Sequence, residues 1–174
     1  MRPYEDPALL AELFTYDPAT GRVFHAKDKR TGRGAGRIVA SAGDYADTYT
    51  VSDGYRLVSV RIGGKKHQPV AHRVAWILTH GTIPDGLQVD HVNGVRDDNR
   101  IFNLRLLTPH ENQHNRHTAK GYCWRPRHGK WCARIQVGGR QIHLGNHGTE
   151  DEARAAYLTA KRIYHPTAPV ELYQ

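Results

Sequence analysis

Apolar residues in this chain come in short groups separated by glycine, proline and asparagine, and the spacing changes from segment to segment. Tyr16-Asp17-Pro18-Ala19-Thr20-Gly21 reads as a turn, followed by a short strand over 22–25. Runs over 55–62 and 65–70 flank Gly63-Gly64, a two-residue hairpin signal. The period then becomes helical: Val70, Ala71, Val74, Ala75 and Leu78 share one side, and Gly81 supplies a stop, which predicts a helix over 70–79. After the turn Ile83-Pro84-Asp85-Gly86, a strand is predicted over 87–92. Asn93-Gly94 opens a polar loop to about 103, and 104–107 is a second strand. Thr108 can cap the next helix, Pro109 suits its first position, and Glu111 completes a capping box.

The last third alternates. Trp131, Ala133, Ile135 and Val137 interleave with Lys130, Cys132, Arg134 and Gln136, so one face of a strand can be buried while the other stays polar. Strands are expected over 121–126, 130–137 and 140–144, with Gly138-Gly139 as the turn. Thr149 and Glu152 form another capping box. The helix behind it places Ala153, Ala156, Tyr157, Ala160, Ile163 and Tyr164 along one side, able to cover the sheet. The fold class is therefore α+β: N-terminal antiparallel hairpins, a central ββα unit, and a C-terminal three-stranded antiparallel sheet on one helix.

Charge sharpens this division. The 174 residues carry 25 Lys and Arg against 17 Asp and Glu, a formal charge of +8. Residues 1–70 contribute +3, 71–117 are neutral and 118–174 contribute +5, which predicts three segments with those boundaries. An excess of this size favours a polyanionic partner, most often nucleic acid. Lys27 to Arg37 sets Lys29, Arg30, Arg33 and Arg37 among glycines, a loop that either follows a phosphate backbone or is simply solvated. No apolar run approaches the roughly 18 residues of a membrane span, and the polar N-terminus argues against a signal peptide. The only cysteines, Cys123 and Cys132, provide neither a four-cysteine zinc site nor a disulfide scaffold. A soluble, intracellular, cytoplasmic protein is expected.

The chemistry concentrates in Val89-Asp90-His91-Val92-Asn93-Gly94, Asp98-Asn99-Arg100-Ile101-Phe102-Asn103-Leu104 and Thr108-Pro109-His110-Glu111-Asn112. Over 72–116 the chain resembles the HNH nuclease family, in its phage and intron-encoded homing-endonuclease branch, whose fold is the ββα-metal motif. Phosphodiester hydrolysis needs a base for water and a cation for the charge on phosphate. His91 is the candidate base, because imidazole is largely neutral at pH 7. The resemblance implies that Asp90 and Asn112 hold a divalent metal and that Asn103 orients the His91 ring. One carboxylate and one amide oxygen suit Mg²⁺ or Mn²⁺ better than Zn²⁺. Many family members have histidine at the Asp90 and Asn112 positions, so weak metal affinity is expected until DNA arrives. His110 and His114 lie one helical turn apart, either a metal pair or contacts to phosphate or solvent. Arg73, beside His72 at a helix start, is either structural support or a backbone contact, and Arg116 belongs either to the linker or to a phosphate contact.

Residues 118–165, with Gly121-Tyr122-Cys123-Trp124-Arg125, Lys130-Trp131-Cys132-Ala133-Arg134-Ile135 and Ile142-His143-Leu144-Gly145, resemble the plant ethylene-response-factor (APETALA-type) DNA-binding domain. In that family the sheet enters the major groove, where base edges are distinguishable. The resemblance and the alternation put Arg125, Arg127, Lys130, Arg134, Gln136, Gln141 and His143 on the DNA face, with Arg140 reaching a phosphate. Trp131, Ala133, Ile135, Ile142 and Leu144 are expected in the core. The bland alternative is a basic domain that merely adds affinity.

These readings predict a metal-dependent, site-recognising DNA endonuclease acting on double-stranded DNA. It is expected to need no organic cofactor or membrane, and to work as a monomer that nicks one strand in a bacterial or phage-infected cell. A DNA-binding regulator with an inert nuclease unit is the main alternative. An RNA-directed protein is the second.

Overall fold

A computed structural model describes residues 2–31, 36–113, 115 and 120–168. Arg33, His114 and Arg116, expected as DNA contacts, lie outside the described residues. The chain forms two compact units, 1–107 and 108–174. None of the described helices is long and apolar enough to cross a membrane.

The first unit begins with helix α1 (Pro7–Leu13), capped by the Asp6 carboxylate, which accepts from the Ala8 N–H. Five two-stranded antiparallel pairs follow along the chain. β1 (Phe14–Asp17) pairs with β2 (Arg22–His25), β3 (Lys29–Arg30) with β4 (Ile38–Ala40), and β5 (Tyr49–Thr50) with β6 (Arg56–Leu57). β7 (Val60–Ile62) pairs with β8 (Lys65–His67), and, beyond helix α2 (Ala71–His80), β9 (Gln88–His91) pairs with β10 (Leu104–Leu107). Where two-residue glycine turns or proline turns were read in the sequence, the chain reverses. The strand expected over 55–62 is divided, because Arg56–Leu57 pairs backwards with β5 and Val60–Ile62 forwards with β8.

Helix α2 is the spine of this unit. Ala71, Val74 and Ile77 join Leu10, Phe14, Val23, Val58 and Val60 in one core, and Ala75 on another side joins Val89 and Leu104. The boundary expected at residue 70 thus runs through a shared core: the hairpins before it cannot bury their apolar sides without α2. Asp47, with no solvent exposure, is forked by Arg22, whose Nε and Nη2 lie 2.9–3.0 Å from its carboxylate.

The second unit opens with the short helix α3 (Pro109–Gln113), started by the expected box: the Thr108 N–H donates to the Glu111 carboxylate and the Glu111 N–H to the Thr108 hydroxyl. β11 (Tyr122–Arg125), β12 (Lys130–Val137) and β13 (Arg140–His147) form an antiparallel sheet in that order, with a bulge at Ala133/Arg134. Helix α4 (Glu150–Tyr164) packs on it with its own capping box. Ile135, Tyr157 and Ala160 make the core, flanked by Val137, Ile142 and Leu144.

Three expectations are corrected here. Ile163 and Tyr164 are 67% and 43% exposed; the buried stripe of α4 runs Ala153, Tyr157, Ala160, Lys161. Lys161 lays its stem along that stripe, its ammonium 5.6 Å from the Tyr157 ring centroid, and burial lowers its pKa to about 8. Cys132 lies on the polar face, opposite Cys123, but is buried there rather than exposed, with Sγ 3.6 Å from His143 Nδ1. Trp131 is only half-buried and packs beside Trp124, ring centroids 5.7 Å apart, outside the Ile135 core.

Candidate functional site

The β9–β10 hairpin displays the chemistry. Its register sets His91 opposite Leu104 and Asp90 opposite Arg105. Because successive side chains alternate, His91 and Asp90 leave opposite faces of the strand. The His91 ring is 4% exposed, with Nε2 3.0 Å from the Asn99 Oδ1. Among the described residues its Nδ1 makes no hydrogen bond. His72, also buried, meets it edge-on at 4.9 Å between centroids, and Tyr55 lies 6.0 Å away. Burial pushes the His91 pKa below the usual imidazole range, against the hydrogen bond with Asn99 and the nearby Asp90, which raise it. His72 is driven further, to about 3, by burial and then by His91 and Arg73. Both rings are therefore neutral at pH 7.

The loop between the strands is tied at several points. The Asn93 N–H donates to Asn103 Oδ1 at 3.0 Å, and Asn103 Nδ2 donates to the Asp98 carbonyl at 2.7 Å. Asn93 Nδ2 and the Arg100 guanidinium both reach the Asp98 carboxylate, and the Arg100 bond holds the Asp98 pKa below its usual range. Asn103, expected to orient the imidazole, instead closes this loop, and Asn99 takes the ring. The reason is register: the Asn103 carbonyl accepts from the Val92 N–H, so Asn103 stands opposite Val92, one step out of phase with His91.

Asn99 carried no local signal, since its approach to His91 spans a loop whose path depends on residues far away. The Tyr16 hydroxyl donates to the Asn99 carbonyl at 2.7 Å. A second residue missed from sequence is Arg105, whose Nε and Nη2 lie 3.0 and 2.9 Å from Asp90 Oδ2. Here the hairpin register was sufficient to find it.

Asp90 is a hard oxygen donor with 13% side-chain exposure, which suits Mg²⁺ or Mn²⁺. No group of three His, Cys, Asp or Glu side chains able to hold a metal occurs among the described residues. The Asp90 carboxylate is shared with Arg105. Asn112 is a half-buried residue of α3, in the second unit.

The expected DNA contacts fall into groups. Arg73 is engaged by Glu5, with Nε and Nη2 2.9 and 2.7 Å from Oε1, which favours the support role over the backbone contact. Arg30 and Arg37 are exposed beside the β3–β4 pair, Arg30 with Nη1 3.4 Å from the Gly36 carbonyl. Near them a groove takes Lys29, Arg30 and Arg61 around Phe14 and Val60. The Lys29 pKa is lowered by burial, then by Lys66 and Arg61, a cluster the sequence reading did not assemble. In the second unit Arg125, Arg127, Lys130, Gln136, Arg140, Gln141 and His143 are exposed. Arg134 is half-buried, with Nη1 3.0 Å from Gln141 Oε1. Cross-strand pairs Arg125–Lys130, Arg134–His143 and Gln136–Gln141 put six of these groups on one sheet face with Cys123. His110 is exposed on α3.

Residues 70–114 match the family model described as HNH endonuclease. Protein 3.8 of Escherichia phage T7 is 26% identical over 103 residues, which is 55% of this chain and 85% of that protein. Among solved structures, one describing DNA binding and cleavage by the HNH homing endonuclease I-HmuI aligns with 27% identity and a TM-score of 0.44, covering 62% of this chain. This chain spans 55% of the I-HmuI chain.

Proposed function

We propose that this protein is a metal-dependent DNA endonuclease of the HNH type that hydrolyses phosphodiester bonds and cuts one strand per active site as a monomer. The observation that carries the reading is the neutral, buried His91 ring held beside Asp90 on a tied hairpin, inside the stretch that matches the HNH endonuclease model. His91 takes a proton from the attacking water, and its low pKa keeps it unprotonated at pH 7. Asp90 and Asn112 would hold the divalent cation, Mg²⁺ or Mn²⁺, which when bound offsets charge on the phosphate and the leaving oxygen. Arg105 keeps the Asp90 carboxylate aligned, and Asn103 ties the loop between the strands. Arg30, Arg37 and the second-unit face (Arg125, Arg127, Lys130, Arg134, Gln136, Gln141, His143) hold double-stranded DNA, with Arg140 reaching a phosphate from the strand edge and the sheet supplying site preference as in ethylene-response-factor domains.

Supercoiled plasmid with Mg²⁺, with and without EDTA, tests this. Conversion to nicked circles that EDTA stops, and that His91→Ala abolishes with DNA affinity retained, is expected. A second reading, a DNA-binding regulator with an inert nuclease unit, is favoured by the Arg105 grip on Asp90, which neutralises a ligand charge. Tight DNA binding with plasmid intact across Mg²⁺ and Mn²⁺ would establish it instead.

A further inference from the structure

We infer that Asn99 is the positioning residue of His91: its amide oxygen holds the proton on Nε2 and leaves Nδ1 as the nitrogen that accepts a proton. The inference deepens the nuclease reading and rests on it for the role of His91, but the arrangement itself can be tested apart from cutting.

An amide oxygen accepts and never donates, so Oδ1 at 3.0 Å from Nε2 requires the hydrogen on Nε2. In a neutral imidazole the lone pair then sits on Nδ1. Asn99 is 1% exposed and held from several sides. The Tyr16 hydroxyl binds its carbonyl at 2.7 Å. A Cβ on Gly21 would come within 2.7 Å of its carbonyl carbon, so the β1–β2 turn lies against its backbone. The preceding Asp98 is fixed through Asn93, Arg100 and Asn103. The imidazole is confined from other directions by His72 and Tyr55.

One further observation separates positioning from plain packing. Asn99 Nδ2 is buried and lacks a hydrogen-bond partner among the described residues. Buried polar atoms are normally satisfied, and an unsatisfied one costs stability. An apolar residue would fill this space without that cost; what the amide adds is its oxygen, and the group facing that oxygen is His91. Asn99 therefore resembles the outer hydrogen-bond partners that fix the tautomer of functional histidines.

Long-range ¹H–¹⁵N spectra of the metal-free full chain at pH 8, where His91 is neutral, decide the matter. The wild-type protein is expected to show the Nε2–H form. Asn99→Ala is expected to mix the two tautomers, while Asn99→Asp, which keeps an acceptor, restores Nε2–H. Thermal melts establish that each variant is folded. On DNA, Asn99→Ala should lower single-turnover cutting by about ten- to a hundredfold, the range for such partners, with Asn99→Asp recovering most of the rate. A wild-type Nδ1–H ring overturns the assignment, as does an unchanged tautomer in folded Asn99→Ala. If Asn99→Ala does not fold, the wild-type and Asn99→Asp spectra still decide. A wild-type Nε2–H ring in a protein that cuts no DNA would uphold the positioning by Asn99 and defeat the base role of His91.

Discussion

Gly21 links the N-terminal hairpin to the candidate base, and replacing it by alanine separates two physical costs. Gly21 has φ +74° and Gly63 has φ +55°, so an alanine at either pays for a left-handed backbone, about 1–2 kcal/mol. Their surroundings differ. A Cβ at Gly63 meets nothing within 4 Å, whereas at Gly21 it lies 2.5 Å from the Arg100 nitrogen and 2.7 Å from the Asn99 carbonyl carbon. Those are backbone atoms of a tied loop, so they cannot rotate away and must translate by about an ångström. Overpacking of that kind costs about 1–3 kcal/mol, and Gly21→Ala should lose that much more stability than Gly63→Ala. Urea unfolding followed through NMR signals of α2 reads the first unit alone. Gly21→Ala should in addition shift the His91 resonances at low urea, which Gly63→Ala should not. Equal stability losses, or an undisturbed His91 signal in Gly21→Ala, would refute the close approach of the β1–β2 turn to Asn99.

Acid should destabilise the first unit through His72. Its folded pKa is depressed from 6.5 to about 3, so stability is full above pH 6.5 and falls as the pH drops toward 3, by about 2 kcal/mol at pH 5. His72→Phe should remove most of that slope in urea titrations at pH 5 and pH 8; an unchanged slope would exclude His72 as its source. Asp47→Ala leaves Arg22 without its buried partner and should cost about 3–5 kcal/mol by chemical denaturation, with Arg22→Ala no milder; a loss below 1 kcal/mol would mean the fork adds nothing. On the second unit, Lys130→Ala should weaken binding across unrelated duplexes and lower the salt slope by about 1, while Gln141→Ala should alter preference among sequences more than the slope. Competition binding at several salt concentrations distinguishes these patterns from a sheet that does not touch DNA.

What the sequence determined was local and periodic. Helical spacing located α2, and two-residue glycine turns and capping boxes marked the reversals at Gly63-Gly64 and Gly138-Gly139 and the starts of α3 and α4. β12 appeared with its expected bounds because alternation over eight residues has one natural register. The Asp90–His91 pair was legible for the same reason, since neighbouring strand residues must leave opposite faces. Tertiary structure decided everything that depends on loop path and shared burial. It chose Asn99 over Asn103 as the partner of His91, because a loop's return is set by Gly21 and Tyr16, the latter 83 residues away in sequence. It merged residues before and after position 70 into one core, since two-stranded hairpins bury too little apolar surface to stand alone. It also put Lys161 rather than Ile163 on the buried stripe of α4, because a stripe is defined by what the sheet covers and not by which residues are most apolar.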